Sequence, residues 1–158
     1  MSLAPSAHSV PSARLRALTP HSDDLLALGK FADDNQHAIS FYYRPGDSTR
    51  GAHDAMLLNF RVRDIISNSF SPERRTSGLL RDLDHCLEIA EQTPEEYPCL
   101  RAVFACHDRG IWMEFEVPSS VHLVRVETGS SFNLGPLLRA LEQQESFVAA
   151  ESDTVKVV

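Results

Sequence analysis

The stretch Leu100-Arg-Ala-Val-Phe-Ala-Cys-His-Asp-Arg-Gly-Ile-Trp-Met-Glu-Phe-Glu-Val117 decides the fold. It reads as two strand-like runs joined by His107-Asp108-Arg109-Gly110, in which Gly110 supplies the left-handed conformation that hairpin loops of about three to five residues often need. In the first run Leu100, Ala102, Phe104 and Cys106 share one face, while Val103 and Ala105 put apolar groups on the other. A strand apolar on both faces is covered on both sides, so this run is expected at the centre of a sheet. The second run alternates: Ile111, Met113, Phe115 and Val117 face one way, and Trp112, Glu114 and Glu116 face water or a partner.

Outward from this hairpin, His37 to Tyr43 alternates Ile39, Phe41 and Tyr43 against Ala38, Ser40 and Tyr42, which predicts a strand stopped by Pro45-Gly46. A helix is predicted from about Ala52 to Ser69 with a stripe of Ala55, Leu58, Val62, Ile65 and Ile66. Met56, Leu57 and Phe60 fall outside that stripe, so this helix should pack on a second neighbour or offer an interface. Thr76 to Gln92 is the clearest helix, its stripe being Leu79, Leu80, Leu83, Cys86, Leu87 and Ala90, with Asp82, Asp84, Glu88 and Glu91 on other faces. A short helix over Asp23 to Phe31 with Ser22 as N-cap, a strand over Val121 to Val126, and a helix over Leu137 to Gln143 started by Pro136 complete the pattern. The expectation is an α/β fold: a mixed sheet with a central β-hairpin and helices packed on it.

At 158 residues the chain has one domain's length and buries roughly two-thirds of its unfolded surface without staples. Residues 1–22, rich in Ser, Pro and Ala, read as an arm. Phe147 to Ala150 and Thr154 to Val158 read as two more strands, and the pattern still running at Val158 suggests a fragment of a longer protein. The charged fraction of 23% and apolar fraction of 42% are those of a globular chain, and no apolar run approaches the ~20 residues of a membrane helix. Three cysteines, Cys86, Cys99 and Cys106, form no secreted disulfide framework, and no signal-peptide layout opens the chain; a cytoplasmic location is expected.

Chemistry was sought at each recognisable constellation. Gly46 and Gly51 have phosphate-loop spacing, but Ala52-His53 follow where Lys and Ser/Thr are required, so an ordinary connection is expected and no cofactor. Cys99 and Cys106, roughly 23 Å apart along one strand at ~3.3 Å per residue, cannot share an ion there, and no metal site is expected. Cys86 reads as a core thiol, His85 as a solvated imidazole, and Asp108 as a turn former rather than a general base. No G-x-S-x-G elbow is present, and no catalytic residue is assigned. The net charge of -7 argues against a general nucleic-acid binder; no DNA or membrane partner is expected. The best local basic patch is Arg44, Arg50, Arg61 and Arg63, the candidate RNA-contacting residues.

The order of Ile39-Ser-Phe-Tyr-Tyr-Arg-Pro-Gly46 with its following helix, Leu100 to Pro118, Val121-His-Leu-Val-Arg-Val-Glu127, and Leu134-Gly-Pro-Leu-Leu-Arg-Ala-Leu-Glu-Gln-Gln-Glu-Ser-Phe-Val-Ala-Ala-Glu151 resembles bacterial relatives of the archaeal and eukaryotic class I peptide-chain release factors. The resemblance covers about three-quarters of the chain. It implies a release-factor-like N-terminal domain over 23–144 and the start of an RNase H-like middle domain over 145–158. In that family the middle domain can carry a Gly-Gly-Gln tripeptide for peptidyl-tRNA hydrolysis; this chain has none, and it has no Asn-Ile-Lys-Ser. Phe104 stands one residue beyond the family's Tyr-x-Cys-x-x-x-Phe spacing, so Tyr97, Cys99 and Phe104 do not inherit a codon-reading role. The implied function is a non-catalytic domain of a translation protein, associating with the ribosome or with tRNA or rRNA. Two other readings stand beside it: a protein-protein interaction domain without RNA, favoured by the negative charge and the Leu57/Phe60 flank, and a small enzyme with an unrecognised site.

Overall fold

The computed structural model describes residues 19–46, 51–69 and 77–145. Helix α1 (Ser22–Lys30) leads to strand β1 (Ala38–Arg44); helix α2 (Gly51–Asp64), prolonged by a π-turn over Ile65–Ser69, is followed by α3 (Ser77–Gln92). Strands β2 (Cys99–Cys106) and β3 (Ile111–Pro118) form the hairpin, and β4 (Leu123–Gly129) precedes a last helix, α4, over 135–145. The α/β class agrees with expectation. The sheet order is β3-β2-β1-β4 and every pairing is antiparallel, so the sheet is not mixed, and only half of the hairpin is central: β2 is interior and β3 an edge.

Helices cover both faces. On one, Ile39, Phe41, Tyr43, Val103, Ala105 and Val126 pack against Leu58, Val62 and Ile65 of α2 and its π-turn and Leu79, Leu83, Cys86 and Ile89 of α3. On the other, Ala38, Tyr42, Leu100, Ala102, Phe104, Phe115 and Val117 meet Leu28 of α1, Phe132, and Leu137 and Ala140 of α4. The alternation in β1 and β2 therefore sorts residues between two cores, which explains why neither strand shows a polar face. Phe104 is the hub of the second core: its ring meets Tyr42 at 5.8 Å and Phe132 at 5.6 Å, both edge-on, and Phe115 at 6.2 Å. Between those layers Ser40 is satisfied by accepting from the Asn133 amide at 2.8 Å, and the Tyr42 hydroxyl donates to the Asn133 carbonyl.

Several elements depart from the sequence reading for identifiable reasons. The N-cap of α1 is His21, whose backbone amide donates to Asp24 Oδ2 at 3.0 Å, rather than Ser22. Strand β4 runs from Leu123 to Gly129 because β1 is its template: Leu123 pairs with Arg44 and Gly129 with Ala38, so Val121 lies past the end of β1 and is 52% exposed. In α2, Ala55 is exposed and Asp54 is buried in its place. The Asp54 carboxylate accepts from the Gly46 amide at 3.1 Å and meets His122 Nε2 at 3.0 Å, joining the ends of β1, α2 and the approach to β4. In α3, Asp82 is buried, contrary to its assignment to an outer face.

The outer stripe of β3 does not simply face water. Glu116 accepts from the Tyr97 hydroxyl at 2.6 Å and lies 3.4 Å from Arg101 on the paired strand, which also reaches Glu114 at 3.9 Å. The Arg101 guanidinium sits 4.8 Å above the Tyr97 ring, so one cation serves two carboxylates and a π face. His85 is no freely solvated imidazole either: its ring meets Trp112 edge-on at 5.5 Å. Residues 1–18 of the arm read over 1–22, the loop residue Arg50, and residues 146–158 of the further domain read over 145–158 lie outside the described residues; Ser22 opens α1 and Glu145 belongs to α4.

Phe104→Ala removes the ring on which three aromatic residues converge and should destabilise the fold by roughly 3 to 5 kcal/mol. Chemical denaturation followed by circular dichroism checks this; an unchanged midpoint would contradict the burial of β2 on its α1/α4 face.

Candidate functional site: the cleft at the hairpin tip

The hairpin reverses through a 3-10 turn, His107–Arg109, and Gly110 takes φ 66° and ψ 30°, with its amide donating to the His107 carbonyl at 3.0 Å. That left-handed residue is the one the sequence marked, and a side chain there would be strained. Beside the turn, Gly78 at the start of α3 lets the His107 ring lie against the helix: a Cβ on Gly78 would stand 2.1 Å from the His107 ring carbon Cδ2.

This close approach opens a cleft of about 430 Å³ lined by Arg81, Asp82 and His85 from α3 and by His107, Gly110, Ile111 and Trp112 from the hairpin. Asp82 is 5% exposed. Its Oδ1 lies 3.8 Å from His107 Nδ1, too far for a good hydrogen bond, and its Oδ2 has no hydrogen-bond partner among the described residues. Burial raises the Asp82 carboxyl to about 6; the neighbouring Asp108 adds to the rise, while His107 and Arg81 pull against it without cancelling it. A carboxyl raised by burial and lining a cleft is a candidate for binding or proton transfer.

A second constellation lies on the other side of the turn. Asp33, His37 and Asp108 each place one potential ligand atom within 4.8 Å of the others. These residues already have partners: His37 Nδ1 meets Asp108 Oδ2 at 2.6 Å, Asp33 Oδ2 accepts from the His37 amide at 3.0 Å, and Arg109 Nε stands 3.6 Å from Asp33 Oδ1. The arrangement is a tie between the entry to β1 and the hairpin tip. Asp108 is thus more than the turn former the sequence suggested.

The cysteines are poor nucleophiles. Burial pushes the Cys106 thiol up to about 11, with Asp33 adding to it, and drives Cys86 well above its ordinary value. All three are free thiols, and Cys86 and Cys106 sit in the cores on opposite faces of the sheet.

The sequence-derived basic patch is only partly assembled. Arg44 is engaged within the fold, its Nε donating to the Ser119 carbonyl at 2.9 Å and its Nη1 to the Pro45 carbonyl at 2.6 Å, which commits part of its guanidinium to the protein itself. Arg50 is outside the described residues. Arg61 and Arg63 are exposed near the end of α2. They share that surface with Met56 and Phe60, which are 68% and 66% exposed. The cleft escaped the sequence reading because its walls come from residues some 25 positions apart, and helical periodicity set Asp82 on a face other than the apolar stripe of α3.

No family model matches this chain, and no curated protein matches it. Among solved structures, a chain described only as "Archaeal protein" is similar, with a TM-score of 0.50 and 17% identity over 73% of this chain and 33% of that one. The likeness concerns the fold, and this chain spans about a third of that protein's length.

The Asp82 carboxyl gives a signed pH dependence. Because its folded-state value of about 6 lies above the ordinary 3.8, the folded protein holds this proton more tightly than the unfolded chain. The associated stability is complete below about pH 4 and is lost as pH rises through 6. Asp82→Asn should therefore stabilise the protein at pH 7.5, by on the order of 2 kcal/mol, and do little near pH 4. Urea denaturation at the two pH values checks this, and equal effects at both would contradict the assignment.

Proposed function

We propose that this chain is a non-catalytic domain of a release-factor-like translation protein that associates with the ribosome through RNA. Support comes first from where the family-like stretches fall: they form β1 with the following α2, the β2–β3 hairpin, β4, and α4. The observation that carries the RNA contact is the outer face of α2. At 100° per residue His53, Met56, Phe60 and Arg63 form one stripe opposite the buried Leu58 and Val62, with Arg61 about 100° from Phe60. An exposed aromatic ring on which a base can stack, flanked by two guanidinium groups that meet phosphate, is the composition of a contact to single-stranded nucleic acid. With a net charge of -7, such a contact is weak and sensitive to salt.

The exposed Met56 and Phe60 favour one other reading, a protein-protein interaction domain, and salt separates the two. If Arg61 and Arg63 each neutralise one phosphate of a single strand, replacing both with Ala should lower the salt slope of RNA binding by about 1.4, from ~0.7 per contact. Phe60→Ala should weaken binding at every salt concentration, by about 1 to 3 kcal/mol if one base stacks there. Co-sedimentation with ribosomes and filter binding to ribosomal RNA measure these effects. Absence of RNA binding at low salt, or a slope unaltered by the arginine substitutions, would favour a protein partner on the same face.

A further inference from the structure

We propose that the cleft at the hairpin tip binds a small organic cation bearing N–H donors, an ammonium or guanidinium group, with Asp82 as its counter-ion. The inference stands on the cleft alone and is independent of the RNA-binding reading. Three observations converge on this chemistry.

Asp82 is almost wholly removed from solvent, lines the cleft, and has one carboxylate oxygen with no hydrogen-bond partner. A buried acceptor in that state is stabilised by a donor, and most by a charged one. Neither cation near Asp82 supplies the bond: His107 Nδ1 is 3.8 Å from the other oxygen, and the exposed Arg81 makes no hydrogen bond to Oδ2.

The cleft walls include the Trp112 indole and the His85 imidazole, set edge to face at 5.5 Å. Indole is the best π partner for an organic cation, and the attraction grows as water is excluded. The charge of the buried carboxylate itself disfavours an anionic ligand; Asp108 adds to this, while His107 and Arg81 oppose it. An apolar ligand would leave the carboxylate unpaired. Arg81 opposes a cation, but its charge stands in solvent, where salt screens it.

A carboxylate buried without a partner also weakens the fold that contains it, and a neutral side chain of similar shape would weaken it less. Residues that oppose stability in this way are characteristic of sites that bind. The same ligand chemistry has two sources, a free amine or guanidine and a lysine or arginine side chain of a peptide, and the probes below distinguish them.

Trp112 is the one tryptophan of the chain, so its fluorescence reports the cleft directly. The full chain is titrated at pH 7.5 and constant ionic strength with methylguanidinium, n-propylammonium, N-acetyl-arginine amide and, as a control without N–H donors, tetramethylammonium. At least one N–H-bearing probe should give a saturable change in about the millimolar range, as befits ligands of so few atoms. Tetramethylammonium should bind at least tenfold more weakly, and Asp82→Asn should weaken the responding probe at least tenfold. Preference for N-acetyl-arginine amide assigns the site to a basic side chain; preference for the smaller cations assigns it to a free amine or guanidine. The proposal is overturned if no N–H-bearing probe saturates, if tetramethylammonium binds equally well, or if Asp82→Asn binds as the native chain does. Should the variant fail to fold, the comparison with tetramethylammonium on the native chain decides.

Discussion

The burial of β1 and β2 on both faces is the constraint on which the rest of the molecule depends. An antiparallel sheet commonly leaves one face to water. Here α2 and α3 cover one side and α1 and α4 the other, so residues 38–43 of β1 and 102–106 of β2 are buried whichever way they point. Polar groups enter these layers only with their partners. Ser40 and Tyr42 exchange hydrogen bonds with the Asn133 backbone, and Asp54 ties Gly46 to His122. The functional surface is consequently pushed to the rim of the sheet and to the outer faces of the helices.

At Asp82 the pairing is incomplete among the described residues, as it is at Arg101 Nε. Asp82 sits where α3 meets the hairpin tip, and the approach of the His107 ring to Gly78 sets the wall of the cleft. On the opposite side of the turn, Asp33, His37, Asp108 and Arg109 engage one another. The same four-residue turn thus contributes to a polar tie on one side and to the wall of the Asp82 cleft on the other.

Much of the architecture was legible because period-2 alternation is a local property. The two faces of β1 and β2, the hairpin with its left-handed Gly110, and the apolar stripe of α3 could all be read from neighbouring residues. The end of β4 could not, because it is set by the length of β1 across the sheet. Nor could the commitment of Arg44 to the Ser119 carbonyl, which arises from residues 75 positions apart. The burial of Asp54 and Asp82 was not legible either, because helical periodicity gives an angle, whereas burial depends on what lies opposite. For Asp54 that neighbour is His122; for Asp82 it is the hairpin tip.

Amide hydrogen exchange tests the two-sided burial most directly. Strands β1 and β2 each have a hydrogen-bonded neighbour on both sides, whereas β3 and β4 are edges. Amides of β1 and β2 should therefore exchange only through global unfolding, and their protection should fall in parallel with stability as denaturant is added, while outward amides of β3 and β4 exchange through local opening. Exchange of β1 amides at the rate of the edge strands, insensitive to denaturant, would contradict the account.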